Sequence, residues 1–183
     1  MRYIYIVPIN SPDYLYLQPL ADIVSQTFNI PVKIDPSHFD PSFAFDTSRD
    51  QYNSTVILSR LIENVPEDAI KIIGVTDLDL YVPVLTFVFG EAQLDGPAAV
   101  VSLHRLRNQF YGLPKNDELL KERFEKEVIH ELGHTFGLIH CNDYECVMHS
   151  STYAEEIDLK SSRLCQVCSD LIRERREMLD LSS

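Results

Sequence analysis

The run His130-Glu131-Leu132-Gly133-His134-Thr135-Phe136-Gly137-Leu138-Ile139-His140 constrains this 183-residue chain more than any other feature. It ends a segment in which Leu120, Phe124, Val128, Leu132 and Phe136 recur every four residues, the spacing of one apolar stripe on an α-helix. Asn116 or Asp117 can cap that helix, and Gly137, just past the stripe, suits a position that needs positive φ. Lys121, Glu122, Arg123, Glu125 and Lys126 read as its solvated positions. On such a helix His130 and His134 sit one turn apart and reach a single metal ion. Glu131 is rotated from His130 by about 100°, which sets its carboxylate beside the ion rather than on it. A straight helix would carry residue 140 away, whereas a left-handed glycine at 137 reverses the chain and lets His140 approach from below. Three neutral imidazoles leave a fourth tetrahedral position open for water, as in a catalytic zinc site. Coincidence is the plain alternative. The five-residue core of the pattern should arise by chance in about one chain in a hundred of this length, and the added Gly and His lower that by a factor of roughly several hundred.

All four cysteines follow at once: Cys141-x4-Cys146, then Cys165-x2-Cys168. Two short-spaced pairs in one small lobe are the signature of a structural zinc held by four thiolates. Two disulfides or four buried thiols are the other arrangements. A reducing compartment argues against the first and the pairing against the second. Cys165 and Cys168 fall near the start of an amphipathic segment with Leu171, Ile172, Met178 and Leu179 on one side, where free N–H groups favour thiolate. His140 and Cys141 are adjacent, so two zinc ions per chain would have covalently neighbouring ligands.

The combined pattern H-E-x-x-H-x-x-G-x-x-H-C-x4-C-x-M…C-x2-C, from His130 to Cys168, resembles the archaemetzincins among the metzincin metallopeptidases. The resemblance implies a catalytic zinc on His130, His134 and His140, and a structural zinc on Cys141, Cys146, Cys165 and Cys168. It also implies a methionine turn at Met148 and Glu131 as general base for a zinc-bound water that hydrolyses peptide bonds. The metzincin outline further implies an edge strand from Val84 to Glu91 above the cleft, where an extended peptide adds as another strand. The tyrosine that several metzincin groups carry two residues after the methionine is Ser150 here, so that role is not carried over; Tyr153 is a weak substitute. A catalytically silent, zinc-stapled module that binds peptides is the alternative, although it has no use for Glu131.

The rest of the chain supplies the frame. Strands are expected at Tyr3–Ile9, Pro31–Ile34, Ala69–Val75, Val84–Phe89 and Ala98–Leu103, with a turn over Gly90–Pro97 making the last pair antiparallel. Helices are expected over Pro12–Phe28, with Ser11 as cap and Pro19 as a possible break, and over Arg49–Asn64, with Val56, Leu58, Leu61 and Ile62 inward. The fold class is α/β: an N-terminal lobe, 1–137, with a mixed twisted sheet and the active-site helix, and a small C-terminal lobe, 138–183, with the structural zinc and a terminal helix. Together they form one domain, expected to be a monomer. A hydrophobic content of 45% can build a core, and a net charge of −12 sets nucleic acid and anionic membrane aside as partners. A peptide or small protein remains as substrate, in the cytoplasm, since the start lacks a signal peptide pattern; with no pro-segment before the first strand, the cysteine-switch latency of some metzincins is not expected. Asp77/Asp79 and Glu155/Glu156 could hold a substrate α-amino group, with solvated charge as the plainer reading. His38, His104 and His149 read as surface or locally hydrogen-bonded residues.

Overall fold

The computed structural model describes residues 2–10, 16–35 and 39–181. Strands β1 (Tyr3–Ile9), β2 (Val32–Ile34), β5 (Ala69–Thr76), β7 (Gly90–Ala92) and β8 (Ala98–Ser102) form one sheet in the order β2-β1-β5-β8-β7. The first four neighbours run parallel, and β7 pairs antiparallel with β8 at the edge opposite β2. A second, three-stranded sheet of β3 (Phe45–Asp46), β4 (Gln51–Asn53) and β6 (Leu80–Tyr81) was not foreseen. Helices are α1 (Leu17–Phe28), α2 (Ser54–Glu63), α3 (Asp117–Thr135), α4 (Ala154–Leu159) and α5 (Gln166–Leu181).

Strand alternation splits the core between the two faces of the main sheet. Ile4, Ile6, Ile73, Val75, Ala99 and Val101 pack with α1 and α3, whereas Val7, Ile9, Ile72, Ala98 and Val100 pack with α2. Helix α3 is thereby pressed along the sheet with its whole apolar stripe buried, and Asn116 accepts from the Leu119 N–H as its cap. Pro19 sits in the first turn of α1, where no backbone bond is lost, so the helix is unbroken. The Ser11 cap and His38 lie outside the described residues.

Several expectations need correction. Val84–Phe89 is not a strand: Pro83 starts a turn closed by Leu85 N–H donating to Val82 O, and strand pairing resumes only at Gly90. The second helix begins at Ser54, capped by Asn53, which rotates its inner face onto Ile57, Leu58 and Leu61 and leaves Val56 exposed. In α5, Ile172 is buried while Leu171 and Met178 face outward. Arg123 and Lys126 are not solvated but buried against α4: Arg123 grips Asp158 through two bonds of 2.7 and 2.6 Å, and Lys126 Nζ donates to Ile157 O at 3.1 Å. These cations at the end of α4 tie the C-terminal segment to α3.

Lys71 holds the other end of α3. Its buried Nζ donates to Thr135 O at 2.6 Å and to Gly96 O at 2.9 Å. Burial pulls its pKa down to about 8, with the Asp95 charge opposing. The unfolded chain therefore binds more protons between about pH 8 and the ordinary lysine value near 10.4. The burial cost of the cation is carried in full below that window and relieved as pH rises through it. Lys71→Met should cost about 2 kcal/mol at pH 7, by orphaning two buried carbonyls. In urea titrations the stability of wild type relative to the variant should climb from pH 8 to 10; a difference flat across that range would show that Lys71 is not held as a buried cation.

Candidate active site

The last two turns of α3 place His130, Glu131 and His134 in the wall of a cleft of about 420 Å³, with Leu85 to Gly90 on the opposite side and Ser150, Ser151 and Thr152 below. Gly137 has φ +88°, the left-handed turn expected of it, and the chain returns so that His140 reaches the same cleft. The three imidazole centroids lie 4.7 Å (130–134), 5.3 Å (130–140) and 5.0 Å (134–140) apart. One nitrogen from each ring comes within 4.8 Å of the others.

The hydrogen bonds decide what this cluster can hold. His130 Nδ1 is 2.8 Å from Val147 O, and His134 Nδ1 is 2.7 Å from Leu138 O. A carbonyl only accepts, so each Nδ1 carries the proton and each Nε2 presents a lone pair. Those two Nε2 atoms face each other at 3.1 Å. Burial holds His130 well below the usual histidine range and lowers His134 and His140. Two opposed lone pairs at that distance repel unless a cation lies between them, and Zn–N bonds of about 2.0–2.1 Å in a tetrahedron place nitrogens roughly this far apart. The residues fit a zinc ion.

Glu131 is 7% exposed, and burial, with Glu127 and Glu91 adding, pushes its carboxyl well above the usual carboxylate range. Met148 is fully buried in the turn behind the histidines, which His149 N–H closes onto Cys146 O. Cys141 N–H donates to Met148 O at 3.0 Å, so the residue after His140 is pinned to that turn.

The four sulfurs of Cys141, Cys146, Cys165 and Cys168 form a second cluster within 4.8 Å of one another. Cys141 and Cys165 are 3.8 Å apart and all four thiols are free, which excludes the disulfide arrangement among them. That separation is close to what four Zn–S bonds of about 2.3 Å produce. Cys165 precedes α5, and the Cys168 N–H lowers its pKa. The helix-terminus effect stops there, because burial raises Cys146 and Cys168.

Other expected residues lie elsewhere. Asp79 and Asp77 are occupied by Arg105 and Arg107 at 2.7 and 2.6 Å, and Glu156 accepts from the Thr152 and Tyr153 N–H groups at the start of α4. Neither acidic pair faces the cleft. Tyr153 is exposed away from it, whereas Ser150 lines it. His149 bonds to Cys141 O eight residues before it, as expected of a locally bonded residue, whereas His104 bonds across 27 positions to Asp77 O. The sequence reading missed Glu127, which lines the cleft, and Lys160, which pairs with it. The available signal was Glu127's position one helical turn before Glu131.

Residues 29–174 match peptidase family M54. An archaemetzincin from Thermococcus kodakarensis is 42% identical over 175 residues, covering 92% of this chain and 94% of that one. The crystal structure of archaemetzincin from Methanopyrus kandleri superposes with a TM-score of 0.84 at 34% identity, covering 96% of both chains. That from Archaeoglobus fulgidus, complexed with malonate, has a TM-score of 0.78 at 38% identity, covering 92% of this chain and 99% of its own. The chain thus belongs to the archaemetzincins, peptidase family M54, and is a zinc metallopeptidase.

Proposed function

We propose that the chain cleaves peptide bonds in the cleft between α3 and the β7 edge, with His130, His134 and His140 holding a catalytic zinc and Glu131 acting as general base. The opposed Nε2 atoms of His130 and His134, each with its Nδ1 proton committed to a carbonyl, carry this reading. When bound, the ion supplies Lewis acidity, making hydroxide accessible at neutral pH and polarising the scissile carbonyl. Glu131 accepts the attacking water's proton at a carboxylate oxygen and passes it to the departing amine nitrogen. The residues from Leu85 to Phe89 supply an apolar wall, and β7 offers an unpaired edge along which an extended peptide lies.

Cys141, Cys146, Cys165 and Cys168 hold a second, structural zinc that fixes residues 138–183 beneath the cleft. Residues 1–137 contribute the sheet and α3, and the two parts act as one metallopeptidase domain. The four unbridged cysteines favour a reducing, cytoplasmic setting. No described helix is long and apolar enough to cross a membrane. The site is complete within one chain, which supports a monomer acting on peptides or small proteins.

Elemental analysis should find two zinc ions per chain, and a peptide-library digest should show cleavage that a chelator abolishes and added zinc restores. Cleavage persisting in metal-free protein would overturn the assignment, and a single zinc per chain would overturn the two-site arrangement.

A further inference from the structure

Glu127 lies one turn before Glu131 on α3, and its side chain is part of the cleft wall. Its Oε1 is 3.2 Å from Lys160 Nζ, with side chains only 5% and 1% exposed. Lys160 follows α4, and its ammonium also donates to His149 O at 3.0 Å, beside the methionine turn.

An inter-lobe fastener alone does not account for this pair. Arg123 and Lys126 already join α3 to α4 through Asp158 and Ile157 O. Glu127 Oε1 has no hydrogen-bond partner among the described residues despite its burial, so its attachment to Lys160 is mainly one of charge. A buried ion pair also stabilises a fold no better than apolar side chains of similar volume. What distinguishes the pair is its location. Glu127 lines the same cleft as His130, His134 and His140, and the Lys160 ammonium stands directly behind it at its Oε1.

We propose that Glu127 is the counter-charge of the metal centre: it cancels the positive charge that Lys160 places beside the ion held by His130, His134 and His140, and the net charge of the pair sets the affinity for that ion. The inference rests on the zinc assignment above. It is separable from a mechanical role because the two single substitutions must act in opposite directions. Glu127→Gln leaves a lone cation and should weaken zinc at the histidine site about tenfold, whereas Lys160→Met leaves a lone anion and should tighten it about tenfold. The double substitution restores neutrality and should bind within about twofold of wild type.

Zinc affinity is read by competition with a chromophoric chelator, and the histidine-site ion is identified as the one missing from His134→Ala. Single variants that both weaken binding, or a double variant as weak as Glu127→Gln, would leave only the fastener and overturn the proposal. Should one single variant fail to fold, the other still decides by the direction in which it moves the affinity, and an affinity unchanged in it would overturn the proposal. Equal zinc content in wild type and His134→Ala would instead overturn the zinc assignment on which the proposal stands.

Discussion

Glu131→Gln should retain both zinc ions and lose peptide cleavage by about 10²–10⁴-fold in kcat/KM, the range expected when a general base is removed. The amide has nearly the shape of the carboxylate, so the cleft wall stays packed, and Glu131 is not among the three imidazoles that approach within 4.8 Å of one another. What the amide lacks is the ability to accept a proton from water. If Glu131 instead served only to fill the wall, where it is 7% exposed, the variant would cleave at nearly the wild-type rate. If it were a metal ligand, zinc content would fall with activity. Measuring zinc and kcat/KM on the same preparations separates these outcomes. Proton acceptance also gives the activity profile a sign: cleavage falls as pH drops and the carboxyl protonates, so the acid limb belongs to wild type and is absent from the residual activity of the variant.

The parts of the molecule that the sequence makes readable are those fixed by local spacing. His130, His134 and the stripe from Leu120 to Phe136 lie on one helix, and the positive φ at Gly137 is a property of a single residue. The cysteine pairs are readable for the same reason, being short-range on each side. What could not be read depends on partners far along the chain. The segment from Leu85 to Thr86 is held by Arg49 and Gln51, more than thirty positions earlier, whose side chains take its carbonyls, and such anchoring leaves no period-two pattern. Glu127 and Lys160 meet across 33 positions, and although Glu127 stands one helical turn before Glu131, nothing near Lys160 marks it as the buried partner. Arg123 and Lys126 look like the polar face of a helix because that face has a second layer, α4, to pack against. The phase of α2 was misread because β4 runs directly into it, so the helix starts at Ser54, five residues later than its polarity pattern suggests.

Gly90 offers a second large effect from a small change. It begins β7, opposite Val101, at the point where the sheet edge passes over the Glu131 carboxylate. A Cβ at this position would lie 2.7 Å from Glu131 Cγ, 2.9 Å from Glu131 Oε1 and 2.8 Å from Val100 O. Val100 belongs to β8, which is bonded to strands on both sides and cannot give way. The yielding partner is therefore Glu131, whose side chain must turn from its place in the wall, or β7, which must lift from the sheet. Either shift misplaces a proton acceptor that must stand within hydrogen-bond reach of the attacking water. Gly90→Ala should accordingly lower kcat by about 10²-fold, the cost of roughly an ångström of misplacement, while leaving zinc content unchanged. Because the proposed route runs through Glu131, adding Gly90→Ala to Glu131→Gln should cost little more than Glu131→Gln alone, the non-additivity of two changes that act on one group. A full 10²-fold further loss in the double variant would mean that the methyl acts on the substrate's path along the β7 edge and not on the carboxylate.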